Sequence, residues 1–290
     1  MSQNDNTIPK GQWNVVSDKW NLLGPPLRPV QEDISLITSG INKWLDTSDH
    51  SYETLILGVT PEYYFHSWPG CSGIKATDNS KKMIADVWPG AFEDAQCSSW
   101  LEMDWPENKF SLALCDGGLQ LLDYPLEQHF LVKKLSAIIK DDGLVILRLF
   151  ARPSVTETLD SVFEKLDKGG VSNLNQLKIV LGMALQKDCK TGVVLNDIWA
   201  SLTSRYSNWN KLAEDLGVPV DYVNIIDAYK DNATIYNFMS VEEVVEIFEE
   251  ASDGRFQCVD VFTPTYACGE LCPTLVFKKS RAQTSDYCSD

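Results

Sequence analysis

The stretch TLILGVTPEY, residues 54–63, decides the predicted fold. It begins as a run of apolar and β-branched residues, which is typical of a buried strand, and then turns at Gly58. Thr60 suits the N-cap of a helix, and Pro61 suits its first helical position. A strand, a glycine turn and a helix start bring backbone N–H groups to a ligand at the end of a parallel sheet. We therefore predict a ligand-binding turn that includes Gly58 and Thr60.

Short apolar runs with the composition of strands recur on both sides of this stretch. They are TLILGV (54–59), GIKAT (73–77), AQCSSW (95–100), FSLALC (110–115), GLVILRLF (143–150), RFQCVDVF (255–262) and PTLVFKK (273–279). Strands rich in Leu, Ile and Val that alternate with helices predict a parallel sheet covered on both faces. The connection between the last two runs is short, and a parallel crossover needs a dozen or more residues. We therefore predict that this pair is antiparallel.

The segment 153–238 has apolar residues at helical spacing and little strand signal, so we predict an all-helical insertion there. Two capping boxes, Ser154–Glu157 and Ser240–Glu243, are predicted to begin helices. The predicted organisation begins with an aromatic and proline-rich lid segment that includes a helix (1–45). A cofactor-binding core (46–152) and the helical insertion, which serves as an acceptor cap (153–238), come next. A closing helix and hairpin (239–280) and a frayed tail (281–290) end the chain.

The composition argues against several classes of partner. With 41 acidic and 25 basic residues among 290, the net charge is -16, which repels a phosphate backbone and an anionic membrane. No apolar run reaches the ~20 residues of a membrane span. The polar residues 1–12 lack the apolar core of a signal peptide, so a reduced, cytoplasmic protein is expected. Cys268 and Cys272 have no second pair of ligands, and we predict no metal site.

The next strand points to an adenosine-type cofactor. It ends at Asp78, twenty residues beyond Gly58, and Asn79 follows. A carboxylate at this place accepts hydrogen bonds from both ribose hydroxyls, so we predict Asp78 and Asn79 as cofactor-binding residues. Glu62, in the first turn of the predicted helix, opposes a diphosphate and suits a ligand with an ammonium group. S-adenosylmethionine has that ammonium group and a sulfonium as well.

Two later stretches fit the same cofactor. LEMDWP places Asp104 and Trp105 just after the third predicted strand, where they suit the adenine amino group and stacking on the base. CDGGLQLL places Asp116 and Gly117 at the end of the fourth, where loop residues border a transferring methyl group. Four features thus fall at the ends of four successive strands.

With these residues the chain resembles the class I S-adenosylmethionine-dependent methyltransferases, over about residues 50–150 and 240–279. The resemblance implies an α/β fold with a Rossmann-like, doubly wound, mostly parallel seven-stranded sheet, an antiparallel last strand and a helical insertion. It implies S-adenosylmethionine as the cofactor. The implied sites are the cofactor turn at Gly58, the ribose ligand Asp78, the adenine pocket at Asp104 and Trp105, and the motif Asp116-Gly117 after the fourth strand.

The cofactor turn departs from the pattern of that family, which has an acidic residue followed by glycines at alternate positions. Here Ile56 replaces the acid, and Thr60 and Glu62 replace the second and third glycines. We predict that Glu62 takes over the role of the missing acid toward the methionine ammonium group.

The acceptor is predicted to be a small molecule with an oxygen, nitrogen or sulfur nucleophile. Methyl transfer from a sulfonium is an in-line displacement, which depends mainly on positioning and on the exclusion of water. His66 follows the cofactor turn and is predicted, with Asp116, as a catalytic residue. The predicted acceptor-binding residues are Trp20, Arg28 and Arg152, with Arg148 as the alternative to Arg152 for holding an acceptor carboxylate.

Two other functions compete with this interpretation. The first is an NAD(P)-dependent oxidoreductase on a doubly wound sheet, although the GxGxxG fingerprint is missing and the terminal hairpin argues against it. The second is a non-catalytic methyltransferase-like binding module, which is favoured if the glycine-poor turn has lost cofactor affinity. No oligomeric state follows from the sequence.

Overall fold

A seven-stranded mixed sheet forms the centre of the chain in the computed structural model, which describes residues 17–46 and 51–281. Its strand order is β3–β2–β1–β4–β5–β9–β8. The strands are β1 (Tyr52–Leu57), β2 (Cys71–Asp78), β3 (Ala95–Cys97), β4 (Phe110–Asp116), β5 (Ile139–Arg148), β8 (Phe256–Phe262) and β9 (Thr274–Lys279). Strands β6 (Val193–Val194) and β7 (Ile235–Tyr236) form a separate antiparallel pair.

The directions of the strands confirm the predicted Rossmann-like architecture. Strands β1 to β5 pair in parallel, whereas β9 is antiparallel to both of its neighbours, β5 and β8. The predicted antiparallel hairpin is therefore present. Several strand ends differ from the prediction: β1 ends at Leu57, before the turn, and β3 ends at Cys97, so that Trp100 lies in the following loop.

Helices cover both faces of the sheet, and further helices lie in the segment between β5 and the last helix. They are α1 (Gln31–Trp44), α2 (Pro61–Phe65), α3 (Lys81–Asp86), α4 (Leu126–Ile138), α5 (Leu159–Asp167), α6 (Leu174–Leu185), α7 (Leu195–Arg205), α8 (Trp209–Leu216), α9 (Val220–Val223) and α10 (Val241–Ala251). Successive side chains of a strand point to opposite faces, so each central strand contributes to two cores. Ile56 joins the core beneath α1 and α3, whereas its neighbours Leu55 and Leu57 join the core beneath α4 and α10.

The segment between β5 and α10 contains α5 to α9 and a third hydrophobic core. It is not all-helical, because β6 and β7 pair within it. The predicted capping box at Ser154 is wrong: α5 begins later, and its N-cap Thr158 accepts a hydrogen bond from the Ser161 N–H. The second predicted box is present, with Ser240 and Glu243 bonded reciprocally at the start of α10.

Two hydrogen bonds fix this segment over the carboxyl ends of the strands. The Asn237 N–H donates to the Gln120 carbonyl oxygen at 2.9 Å, next to the end of β4. The Asn175 amide of α6 donates to the Gly24 carbonyl oxygen at 3.1 Å and so reaches the N-terminal segment. The segment 153–238 therefore lies above the sheet edge where ligands bind in open α/β folds.

Within residues 17–46 and 51–281, no helix has the length and apolar character needed to cross a membrane. The first sixteen residues of the predicted lid segment and all of the predicted tail except Arg281 lie outside the described residues.

Helix α1 lies so close to the sheet that it requires a glycine. A Cβ at Gly40 would lie 2.8 Å from Val276 Cγ2 and 3.5 Å from Phe262 Cε2. We expect Gly40→Val to lower the free energy of unfolding by about 1–3 kcal/mol, because stiff neighbours must shift. Urea denaturation measures this loss.

Gly73→Val in β2 is the matched control, because a Cβ there meets its nearest atom, Glu53 Cγ, at an ordinary 3.8 Å. Its expected effect is within about 0.5 kcal/mol. Equal losses in both variants would contradict the close packing of α1 on β9.

Candidate functional site

A cavity of about 630 Å³ lies between the carboxyl ends of the strands and the segment above them. This volume is in the range of small-molecule sites. Residues after four strands form its floor: Gly58, Val59 and Thr60 after β1, Asp78 and Asn79 at the end of β2, Ser98 to Glu102 after β3, and Asp116, Gly117 and Gly118 at the end of β4. Its roof consists of Trp20, Leu23, Leu27, Lys178, Ile179, Ile198, Ile225, Tyr229, Tyr236 and Phe238.

The turn after β1 has the predicted form. Gly58 has φ +92°, a conformation that side-chain-bearing residues rarely adopt, and its N–H donates to the Thr77 carbonyl oxygen at 2.8 Å. Thr60 is the N-cap of α2 by position, but its side chain makes no capping hydrogen bond. A Cβ at Gly58 would lie 3.8 Å from Trp100 Cζ2 and 3.9 Å from Asp78 Oδ2. The glycine thus keeps open a space between an indole ring and a carboxylate.

Asp78 lines this space at the end of β2. Its Oδ1 accepts a hydrogen bond from the Ser80 N–H at 2.7 Å. Desolvation raises the pKa of its carboxyl group to about 6, and the bond from Ser80 offsets part of that shift. Its neighbour Asn79 lines the same cavity. The carboxylate is therefore costly to bury and has oxygen lone pairs for a ligand.

The aromatic wall of this space is Trp100, which the sequence interpretation missed. The indole N–H groups of Trp100 and Trp105 both donate to Thr77, to its carbonyl oxygen and to its hydroxyl oxygen respectively, each at 2.8 Å. Both rings pack against the core, but Trp100 also lines the cavity, whereas Trp105 lies edge-on against Phe110 and is not part of the lining. Asp104 is exposed and does not line the cavity. The structure therefore places neither Asp104 nor Trp105 where an adenine pocket was predicted.

Asp116 and Gly117 line the cavity, but the Asp116 carboxylate is already bonded to another side chain. Its Oδ1 accepts a hydrogen bond from Arg148 Nε at 2.5 Å, and both side chains are buried. Desolvation raises the pKa of Asp116 to about 6, although the Arg148 cation lowers it. The Gly117 N–H donates to the Arg148 carbonyl oxygen at 2.8 Å. The loop at the end of β4 is therefore fixed from both its backbone and its side chain.

The structure pairs Glu62 with Arg28 instead of directing either residue into the cavity. Arg28 Nε donates to Glu62 Oε1 at 2.6 Å, and neither residue is part of the cavity lining. The Arg28 guanidinium also lies 5.0 Å from the centre of the Trp20 ring. Of the predicted acceptor-binding residues, Trp20 alone lines the cavity.

His66 and Arg152 also lie away from the cavity lining. Helix α2 ends at Phe65, and His66 turns toward α1, where its Nε2 is 3.2 Å from Thr38 Oγ1. Burial lowers the pKa of the His66 ring. Arg152 turns toward α10, with Nη2 3.6 Å from Glu243 Oε1. Neither side chain is positioned for a catalytic or acceptor-binding role in this cavity.

The roof contains a charged residue that the sequence interpretation missed. Lys178 of α6 is 5% exposed, and its Nζ lies 5.5 Å from the centre of the Tyr229 ring. Burial lowers the pKa of Lys178 to about 8. The sequence does indicate this burial, because Lys178 lies four residues after Leu174 and three before Leu181. Helical spacing predicts an apolar side chain at that position.

Among the described residues, no three His, Cys, Asp or Glu side chains form a group that could hold a metal ion.

Comparisons with known proteins identify similar folds. No family model matches the sequence, and no curated protein matches it significantly. A structure described as a putative Zn-dependent alcohol dehydrogenase from Rhodobacter sphaeroides aligns over 92% of this chain and 97% of its own, with a TM-score of 0.55 and 13% identity. At that identity the likeness shows the fold alone.

Two solved structures of methyltransferases are more distant. The N-methyltransferase NodS from Bradyrhizobium japonicum WM9, in complex with S-adenosyl-L-homocysteine, has a TM-score of 0.47 and 10% identity over 92% of this chain and 99% of its own. A chain of the complex between the Haloferax volcanii Trm112 methyltransferase activator and a putative methyltransferase has a TM-score of 0.49 and 10% identity, over 93% and 98%. Both TM-scores are below 0.5, so these two likenesses support no functional conclusion.

The raised pKa of Asp78 predicts how the stability depends on pH. Between about pH 4 and pH 6 the native state binds more protons at Asp78 than the unfolded state, so this group makes stability fall as pH rises. We expect Asp78→Asn, which keeps an oxygen for the Ser80 N–H, to be as stable as the wild type near pH 4. At pH 7 it should be more stable, by on the order of 2 kcal/mol.

Urea denaturation of both proteins at the two pH values measures the difference. Asp116 is present in both proteins, so its own titration cancels. A difference that stays constant with pH would show that water solvates the Asp78 carboxylate.

Proposed function

We propose that this chain is an S-adenosylmethionine-dependent methyltransferase that acts on a small-molecule acceptor. The observation that carries the proposal is the Asp78 carboxylate, which lines the cavity beside Gly58 and Trp100 at the carboxyl end of β2. This is where a ribose with two free hydroxyls is bound in open α/β folds. The antiparallel β9 also supports the proposal, because the resemblance to class I S-adenosylmethionine-dependent methyltransferases implies an antiparallel last strand.

The residues present fit the cofactor. Gly58 leaves space beside its backbone, Asp78 supplies the acceptor oxygens for ribose hydroxyls, and Trp100 supplies an aromatic wall for the adenine. In this arrangement Trp100 has the role that the sequence suggested for Trp105. Gly117 and Asn79 remain proposed cofactor contacts, because both line the same cavity.

When bound, S-adenosylmethionine supplies an electrophilic methyl group next to its sulfonium. The chain contributes position and exclusion of water, which lower the barrier of an in-line displacement. The loops after β1, β2 and β4 form the floor of the cavity, and a mainly apolar roof lies opposite them. His66 is not part of the cavity lining, so catalysis by positioning is the proposed mechanism.

The turn after β1 is poorly suited to the pyrophosphate of a nicotinamide cofactor. Helix α2 has only five residues, and Pro61 at its first position has no N–H to donate. The argument from the negative charge of Glu62 is weaker than the sequence suggested, because Arg28 neutralises that charge.

Thermal unfolding with candidate cofactors tests the proposal. S-adenosylmethionine and S-adenosylhomocysteine should each raise the melting temperature by about 5 °C or more at hundredfold excess over Kd, because a ligand that binds only the native state stabilises it. NAD(H) and NADP(H) should leave it unchanged. Stabilisation by the nicotinamide cofactors alone would indicate an oxidoreductase. Stabilisation by none of them would indicate a non-catalytic binding module.

A matched pair of tryptophan variants tests the placement of the adenine. Trp100→Leu should weaken binding of S-adenosylhomocysteine by about tenfold or more, since stacking on a base contributes about 1–3 kcal/mol. Trp105→Leu removes the other indole that bonds to Thr77, and it should lower stability but leave affinity nearly unchanged. Calorimetry measures the affinities. A larger loss of affinity in Trp105→Leu would restore Trp105 to the adenine site.

A further inference from the structure

The roof of the cavity contains a buried cation that no other residue of the described ranges neutralises. Lys178 lines the cavity, and the described residues place no carboxylate within ion-pair distance of its ammonium group. Burying a charge without a partner is costly, so such a group is normally paired. An anionic ligand in the cavity would pair with the ammonium group of Lys178.

The neighbouring groups do not serve as counter-ions. Burial raises the pKa of the Tyr229 hydroxyl to about 12, so Tyr229 is neutral at pH 7 and offers only its ring. On the floor, Asp116 is bonded to Arg148 and Asp78 to the Ser80 N–H. Glu102 and Glu127 also line the cavity, and within the described ranges neither forms an ion pair with Lys178. Lys178 therefore lines the cavity without a counter-ion from these groups.

A second polar group in the roof also needs a hydrogen-bond acceptor. Trp20 Nε1 is buried and lines the cavity, and it has no hydrogen-bond partner among the described residues. It is a donor, as is the ammonium group of Lys178. The bond from Asn175 to Gly24 holds α6 against the segment that carries Trp20. Among the described residues, Trp20 Nε1 thus lacks an acceptor and the Lys178 ammonium lacks a carboxylate, and an anionic ligand could supply both.

The rest of the roof is apolar except for the hydroxyl groups of Tyr229 and Tyr236. Leu23, Leu27, Ile179, Ile198, Ile225 and Phe238 line it. A ligand that fits these surroundings has an apolar body and one anionic oxygen group.

We propose that the roof binds the methyl acceptor and that the acceptor is a small apolar carboxylic acid whose carboxylate is held by Lys178. This rests on the proposed function, because the floor is assigned there to the cofactor. Lys178 acts as a positioning residue: its cation pairs with the carboxylate and so orients the acceptor. The apolar body fills the space between the isoleucines and Phe238.

Matched pairs of probes test the proposal on the full chain. The probes are octanoate, 4-phenylbutyrate and indole-3-acetate, each compared with its primary amide by calorimetry at pH 7, with and without S-adenosylhomocysteine. The amides have nearly the same shape and no charge. At least one acid should bind the wild type about tenfold or more tightly than its amide, because a charged hydrogen-bonded pair contributes more than a neutral one.

Lysine variants locate the source of this preference. Lys178→Met should abolish it, and Lys178→Arg should keep most of it. Lys230→Met is the matched control, because Lys230 also lies over an aromatic ring, 5.6 Å from the centre of Trp199, but is exposed and outside the cavity lining. It should keep the preference in full.

The stability of the ligand-free protein gives an independent readout. Because Lys178→Met removes an uncompensated buried charge, it should raise the melting temperature by about 2–4 °C. A structural lysine would instead lower it when replaced.

Several results would overturn the proposal. They are equal binding of every acid and its amide by the wild type, a preference that survives in Lys178→Met, or a lower melting temperature in that variant. The first of these does not depend on any variant folding. Binding of S-adenosylhomocysteine by the wild type alone decides the proposed function, so failure of the cofactor assignment and failure of the acceptor assignment are distinguishable.

Discussion

The buried ion pair between Arg148 and Asp116 holds together the parts of the chain that enclose the cavity. Arg148 Nε bonds to Asp116 at the end of β4, and Nη1 donates to the Pro26 carbonyl oxygen at 2.9 Å. The same Nη1 lies 4.0 Å from Asp33 Oδ2 in the first turn of α1. The Arg148 guanidinium thus links the ends of β4 and β5, the segment around Pro26 that leads to the cavity roof, and the first turn of α1. Removing it would leave the Asp116 carboxylate buried without its counter-ion, which typically costs about 3–5 kcal/mol.

Most of the sheet could be predicted from the sequence because its strands are buried on both faces and read as continuous apolar runs. The direction of β9 also followed, since the chain between β8 and β9 is too short for a crossover. The segment from 153 to 238 was harder. Strands β6 and β7 have two residues each, too few to produce a periodic pattern. Ser154 has the sequence of a capping box, but Thr158 also suits an N-cap, and it is Thr158 that begins α5.

The sequence predicted those cavity residues whose positions depend only on the backbone. Gly58 and Asp78 lie at strand ends, and the ends of neighbouring parallel strands meet at one edge of the sheet. Side-chain direction was not predictable in the same way. Trp100 and Trp105 are five residues apart, both bond to Thr77, and only the conformation of the loop brings Trp100 and not Trp105 to the cavity lining. Lys178 was missed because only the spacing of the apolar residues was used to interpret the segment 153–238.

The arginines of the chain were the expected ligands for an acidic acceptor, and their pairing explains why Lys178 is the better candidate. Arg28 is bonded to Glu62, Arg148 to Asp116, and Arg152 lies beside Glu243. A guanidinium that already has a carboxylate has little to gain from a second one. The buried Lys178 ammonium, which has no carboxylate partner in the part of the chain that the structure describes, gains one from the acceptor. The cavity thus has carboxylates on its floor and a cation in its roof. Under the proposed function, this separation suits a cationic cofactor below and an anionic acceptor above. Each ligand then lies next to side chains of the opposite charge, even though the chain as a whole is strongly acidic.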